Sequence, residues 1–266
     1  MKLRVATYNI HKGVMGLRRP SLTIYELRDH LHDLDADLVF LQEVQGRHDK
    51  HAEAFQHWPK QSQHEFLSHA SGASVEGLLG HASQRYFNAY GMNAVYPHGH
   101  HGNALLSRHP IEWSVNEDVS DHRLEQRGLL HCRVQTPAGP LHTLVAHFGL
   151  FNRSRLRQAS KLIEHAKTHI PEQTPVVIGG DFNDWQRRLG GILTQALGVD
   201  EVLPQKGLFR QLGFGSFPSR LPLLGLDRMF VKGFTINEAK IMTGGMWAKL
   251  SDHAPFVVDL EFNGEA

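Results

Sequence analysis

The chain has 266 residues, 41% hydrophobic and 21% charged, with a formal net charge of +1 and a pI near 8.0. This composition excludes a disordered or collagen-like chain, and the pI falls short of the value above about 9 expected of a dedicated nucleic-acid-binding domain. One cysteine, Cys132, excludes an intramolecular disulfide and a cysteine-based metal site, so a reducing, cytoplasmic setting is expected.

From Met1 the chain reads at once as a strand, without the apolar region of a secretory leader, and no apolar run approaches the roughly 18 residues of a membrane span. Residues 3 to 10 alternate as a strand that ends in polar Asn9 and His11. A glycine-containing loop with Arg18 and Arg19 follows; a solvated loop is the expectation there. Ser21 is a candidate N-cap for a helix carrying Leu22, Tyr25, Leu27, Leu31 and Leu34. Asp35-Ala36-Asp37 ends it, and Leu38 to Leu41 form a short buried strand that delivers Gln42 and Glu43. The opening is therefore β-α-β.

Residues 46 to 63 are polar and histidine-rich, a loop or short helix, and Glu65-Phe66-Leu67 reads as a possible strand. Residues 70 to 92 carry no clear period. Gly102 to Ser107 reads as a strand, and Gly128 to Val134 pairs with Leu141 to His147 around a Pro-Ala-Gly-Pro turn. Asn152 to Thr168 is the best helix, with Leu156, Ala159, Leu162, Ile163 and Ala166 on one face. Its Arg153, Arg155 and Arg157 are expected to form a solvated face. Val176 to Ile178 is a buried strand running into Gly179 and Gly180, where a sharp turn or close ligand approach is expected. Leu189 to Leu197 reads as a helix, and strands near Leu226–Val231 and Pro255–Phe262 close the chain. Strands and helices interleave without a linker, which predicts one α/β domain over residues 1–266.

Polar groups recur at the strand ends. Asn9 lies in Thr-Tyr-Asn-Ile-His, Glu43 in Leu-Gln-Glu-Val, His147 in Val-Ala-His-Phe-Gly-Leu, and Asp181 with Asn183 in Gly-Gly-Asp-Phe-Asn-Asp. Asp227 lies in Leu-Asp-Arg-Met-Phe-Val, and Asp252-His253 in Ser-Asp-His-Ala-Pro. Each alone reads as a polar strand exit or an Asx turn. Together and in this order they resemble the endonuclease/exonuclease/phosphatase superfamily over residues 3 to 259, within it a bacterial branch with Asn-Ile-His-Lys-Gly near its start.

The resemblance implies a DNase I-like fold: two mixed β-sheets packed as a sandwich and flanked by helices, four layers in the order α-β-β-α. It also implies Mg²⁺- or Mn²⁺-dependent hydrolysis of a phosphate ester. By that resemblance Glu43 is the principal metal ligand, with Asn9 and Asp252 beside it, an all-oxygen set that suits Mg²⁺. Asp181 would orient and deprotonate the attacking water, and Asn183 would hold the phosphate or nucleophile in line. His253, oriented by Asp227, and His147 would contact the phosphoryl group. Arg127, Tyr96 and Asn103 are further candidates on the substrate side, each with a packing or surface role as its alternative. His98, His100 and His101 are near neighbours in a loop and are not expected to converge on one metal. The family spans nucleases, lipid phosphodiesterases and inositol phosphatases. The apolar run before Asp227 and the near-neutral charge favour a small or lipid-like ester over DNA or RNA. No transmembrane segment or stable protein partner is implied.

Overall fold

The structure is a computed structural model and describes residues 1–16, 19–69, 85–123, 125–204 and 215–264. Arg18 and residues 70 to 84 of the unassigned stretch 70 to 92 lie outside the described residues, and from Phe87 that stretch is a strand. In chain order the strands are β1 Lys2–Asn9, β2 Val14–Met15, β3 Ser21–Leu22, β4 Leu38–His48, β5 Phe87–Tyr96, β6 Gly99–Ser107 and β7 Ile111–Asp118. They continue as β8 Gly128–Thr136, β9 Gly139–His147, β10 Val176–Asp181, β11 Asp200–Glu201, β12 Asp227–Lys232, β13 Phe234–Ile241 and β14 Phe256–Phe262. The helices are α1 Ile24–Asp33, α2 Asp49–Ala54, α3 Gln63–Ser68, α4 Asn152–His169, α5 Leu189–Leu197 and α6 Trp247–Leu250.

Two six-stranded sheets form, ordered β13-β14-β1-β4-β6-β5 and β11-β12-β10-β9-β8-β7. Each contains one parallel pair, β1 with β4 and β9 with β10, and each pair is joined by a crossover helix, α1 or α4. The remaining pairings within both sheets are antiparallel, so both are mixed.

The period-2 alternation of the strands sorts side chains into three apolar layers. Val5, Leu38, Phe40, Leu130, Val145, Val177 and Met229 meet between the sheets. Ala6, Tyr8, Val39 and Leu41 point the other way, onto Leu27 and Leu31 of α1. Leu144, Ala146 and Ile178 pack under Ala159 and Leu162 of α4 and Leu193 of α5. The result is the expected α-β-β-α stack.

Several local expectations change. Glu65-Phe66-Leu67 is helical: Ser62 and Glu65 close a capping box that starts α3, the Glu65 carboxylate accepting from Ser62 N at 3.1 Å. Thr23 rather than Ser21 holds the N-cap position of α1, without a side-chain cap bond since its Oγ1 donates to the Leu250 carbonyl, and Ser21 instead pairs with Met15 in a two-stranded ribbon. Gly179 and Gly180 make no turn, since β10 runs through both to Asp181. A Cβ on Gly179 would sit 2.7 Å from the Phe40 ring of the opposite sheet, and one on Gly180 1.9 Å from the Ala146 carbonyl. These glycines let the two sheets, and two parallel strands, approach. Arg155 is buried at 1% exposure rather than solvated, because its position on α4 faces inward; its Nη1 donates to the Leu150 carbonyl. Arg157 pairs with Asp121, and Arg153 is exposed.

Away from the strand ends, three buried histidines form a chain. His131 bonds His142 through Nε2 at 2.8 Å and His165 through Nδ1 at 2.9 Å. Neutral rings satisfy this chain, each donating at one nitrogen and accepting at the other. Burial, then the neighbouring His142 and His165, pushes His131 down to about 3. Its folded value lies below its unfolded one, so the stabilisation is complete above about pH 6.5 and declines as pH falls towards 3. Urea unfolding should show a loss of about 1–2 kcal/mol between pH 7 and pH 5. His131→Leu should start less stable and lose less over that interval; an unchanged pH slope would count against the histidine chain as its source.

Candidate active site

Both sheets send strand ends to one edge. From the first sheet come Asn9 at the end of β1, Glu43 within β4, and the Ser251-Asp252-His253 segment that leads into β14. From the second come His147 ending β9, Asp181 ending β10 and Asp227 opening β12. In the register, Asp181 stands opposite both His147 and Asp227. Asn9 bridges the two sheets, its Nδ2 donating to Asp181 Oδ2 at 3.1 Å and to Glu43 Oε1 at 3.4 Å.

Local backbone devices aim these groups. The β4–β6 register slips between Leu41 and Val44, and within that bulge Glu43 takes φ 56°. A bulge beside a site commonly re-aims a side chain in this way. Asn183 takes φ 49° in an Asx turn, its N–H donating to Asp181 Oδ1 at 2.9 Å and its side chain to the Phe148 carbonyl at 2.9 Å. Ser251 Oγ donates to the Asn9 carbonyl at 2.7 Å and accepts from His253 N at 3.3 Å, while Ser216 Oγ accepts from Asp227 N at 3.1 Å.

Asp181 is 1% exposed and lies at the centre. Its Oδ2 is 3.6 Å from Nε2 of both His147 and His253. The two histidines differ in charge. Burial first, then the Arg127 charge, pushes His147 well below the usual imidazole value, so it is neutral. Burial would lower His253 as well, but Asp227 and Asp181 overcome it and raise His253 to about 10. His253 Nδ1 is 2.6 Å from Asp227 Oδ2, which fixes the ring with Nε2 turned to Asp181. With Nδ1 held on Asp227, the His253 ring favours its charged form and turns Nε2 towards Asp181. Burial, opposed by the His253 charge, raises the Asp181 carboxyl to about 6. That makes Asp181 the more basic carboxylate and suits it to accept a proton near neutrality.

Glu43 has the opposite character. Burial would raise its carboxyl, but the Lys12 ammonium beside it holds it well below the usual carboxylate range. Lys12 Nζ is 2.9 Å from Glu43 Oε2, and His11 Nδ1 is 3.3 Å from Asp252 Oδ1. Among the described residues no three His, Cys, Asp or Glu side chains form a ready metal cage. The carboxylates of Glu43 and Asp252 nevertheless match what Mg²⁺ needs from a protein, one or two carboxylates with water completing the shell. Asn9 instead turns Nδ2 to Glu43, and its Oδ1 accepts from His11 N at 3.0 Å.

The substrate-side candidates divide. Arg127 is 3.5 Å from Glu125, and its charge reaches His147 and His101. Tyr96 lies beside the site, accepting from Gln45 Nε2 at 3.4 Å and packing on His48 and His101. Asn103 is fully buried and joins the sheets, donating to the Gly128 carbonyl at 2.9 Å and the Val145 carbonyl at 3.1 Å. Asp184 stands apart from the cluster. It accepts from Arg188 N and Leu189 N at the start of α5 and pairs with Arg228. His11, Lys12, Ser216 and Ser251 received no role from sequence reasoning. The signal for the first two was a basic pair one residue beyond the Asn9 strand end, after buried Ile10.

The sequence profile of the Endonuclease/Exonuclease/phosphatase family matches residues 6–253. The chain is 38% identical over 259 residues to a protein of Escherichia coli (strain K12) described as "Uncharacterized protein YbhP", covering 97% of this chain and 95% of YbhP. It superposes with a TM-score of 0.74 on an endonuclease/exonuclease/phosphatase from Beutenbergia cavernae DSM 12333 at 20% identity, over 99% of this chain and 72% of that one. A second fold neighbour is D. rerio TDP2 complexed with single strand DNA product, with a TM-score of 0.66 and 16% identity over 98% of this chain and 99% of that one. With the profile spanning nearly the whole chain and the strand-end residues gathered at one edge, this chain belongs to the Endonuclease/Exonuclease/phosphatase family.

Proposed function

We propose that this chain is a metal-dependent phosphodiesterase that hydrolyses a small or lipid-like phosphate ester by in-line attack of a water activated by Asp181. The observation that carries this reading is Asp181 Oδ2 held 3.6 Å from one neutral and one charged histidine. Asp181 takes the proton of the attacking water. The Asn9 amide and the Asn183 N–H keep its carboxylate in one orientation, so the base needs no rearrangement before attack. The His253 imidazolium donates to a phosphoryl oxygen and stabilises charge that grows in the transition state. His147 contributes a neutral donor, and Asp227 holds His253 in one tautomer. Glu43 and Asp252 would hold Mg²⁺ or Mn²⁺, beside Asn9. When bound, the ion supplies Lewis-acid polarisation of the phosphoryl oxygens.

The segments leaving these strand ends support the substrate class. Leu150 and Phe151 follow His147, Trp185 follows Asp181, and Leu221, Leu223 and Leu224 precede Asp227; all are exposed, between 39% and 66%. Large apolar side chains at the mouth of a site suit an ester with an apolar body better than a polyanion. A hydrolysis screen with Mg²⁺ or Mn²⁺ tests this, offering phospholipid vesicles, inositol phosphates, DNA and RNA. Turnover should appear on a headgroup or small ester, vary little with salt, and stop with EDTA. A DNA or RNA hit whose activity falls steeply with log salt would replace this substrate class with a nuclease, because counterion release scales with phosphate contacts. Turnover unaffected by EDTA would remove the metal from the mechanism.

A further inference from the structure

The turn after β1 has unusual backbone angles. His11, Lys12 and Gly13 take φ of 45°, 61° and 65°. For the two non-glycine residues that region is strained, and such positions persist only where the surroundings enforce them. Here the enforcement is visible. Gln63 Nε2 of α3 donates to the Lys12 carbonyl at 2.7 Å, while Gln63 Oε1 accepts from Gln45 N at 2.8 Å. One side chain thus ties the turn to the strand that carries Glu43.

The held backbone puts two basic side chains among the acids. Lys12 Nζ reaches Glu43 Oε2 at 2.9 Å, and His11 Nδ1 lies 3.3 Å from Asp252 Oδ1 and 4.0 Å from Glu43 Oε2. Glu43 Oε2 is buried and accepts no other hydrogen bond. An ammonium therefore stands on a carboxylate oxygen that a divalent cation would use. The Lys12 backbone is clamped, whereas its ammonium sits on a flexible four-carbon stem that is one-third exposed.

We propose that Lys12 is a resident countercharge: its ammonium holds Glu43 until a divalent cation displaces it, so that metal entry and lysine release are one exchange. The inference rests on Glu43 being a metal ligand, as read above. It assigns Lys12 a task that neither ligation nor proton transfer covers. Without metal, the ammonium keeps a buried carboxylate paired, which spares the fold an uncompensated charge. With metal, the released side chain becomes a mobile cation at the mouth of the site.

Mn²⁺ titration by calorimetry, on wild type, Lys12→Met, Lys12→Arg and Arg127→Gln, tests the exchange. Lys12→Met should bind Mn²⁺ about 5- to 10-fold more tightly, the size of losing one partly buried competing ion pair. Lys12→Arg should stay near wild type. Arg127→Gln removes a nearby positive charge that does not touch Glu43, and should change affinity much less than Lys12→Met. In parallel, acetylation of wild-type Lys12 by a mild acylating reagent, read by peptide mass spectrometry, should rise several-fold when Mn²⁺ is added. Unchanged or weaker Mn²⁺ binding by Lys12→Met, or Lys12 labelling that stays level or falls with Mn²⁺, would overturn the exchange while leaving Glu43 as a ligand. No Mn²⁺ binding by wild type would overturn the metal reading, and the exchange with it.

Discussion

Asp181→Asn should lower kcat by about 10³-fold while leaving KM within a few-fold, since a positioned general base contributes about 10²–10⁴-fold. The substitution keeps the shape of the side chain and its contact with Asn183 N, but the amide cannot take a proton. Folding should survive it. The Asp181 carboxyl is raised to about 6 by burial, so ionising it costs the folded state, and neutralising it removes that cost. Against this stands the loss of one of three acidic neighbours of His253, which keeps Asp252 nearby and its 2.6 Å contact to Asp227. The pH profile gives an independent check. Wild-type kcat/KM should fall below about pH 6, as Asp181 takes up its proton, and the residual activity of Asp181→Asn should lack that acid limb. Near wild-type turnover by the variant would end the case for Asp181 as the base.

The largest effect on stability is expected at Arg228. Its side chain is 5% exposed and pairs with Asp184 Oδ2 at 2.6 Å through Nη1 and with Glu201 Oε1 at 2.5 Å through Nη2. Asp184 is completely buried and also accepts from two N–H groups at the start of α5. Arg228→Met fills a similar volume but leaves the Asp184 charge without its cation. Removing one partner of such a pair costs about 3–5 kcal/mol. At this chain length the midpoint of thermal unfolding should fall by roughly 10 °C. Arg228→Met combined with Asp184→Asn should recover part of the loss, because the second change removes the stranded charge. A single-variant loss below about 1 kcal/mol would mean that water or another group satisfies Asp184.

The parts that were legible in the sequence were those with a strong period or a tight local context. The buried strands β1, β4, β9, β10 and β14 and the helices α4 and α5 could be read from their apolar patterns. The strand-end residues could be read as a set from their order. Most of what escaped has physical reasons. The edge strand β7 is the exception: it does alternate, Ile111, Trp113 and Val115 against Glu112, Ser114 and Asn116, so its signal was present and passed over; what the pattern could not show is that both of its faces are largely exposed. The bulge that re-aims Glu43 and the left-handed turn at His11 and Lys12 depend on contacts with residues far along the chain, Gln63 among them. Gly190 shows the same limit. Glycine is a poor helix former, yet a Cβ at this position in α5 would lie 2.4 Å from Arg228 Nη2 and 2.5 Å from Glu201 Oε2. It is a glycine because a buried ion pair occupies the space beside it. The opposite charge states of His147 and His253 were equally invisible, since they follow from which neighbours each ring meets once folded.

The cluster at the strand ends belongs to neither sheet. Asn9 and Glu43 ride on one, Asp181 and His147 on the other, and the gap between them is whatever the Phe40 ring resting on Gly179 allows. The hydrophobic interior therefore acts as a calliper for the chemistry. A core exchange that a stability assay would score as harmless can still change the separation of Asp181 from Glu43. In this architecture, drift in the greasy centre and tuning of the polar edge are the same variable.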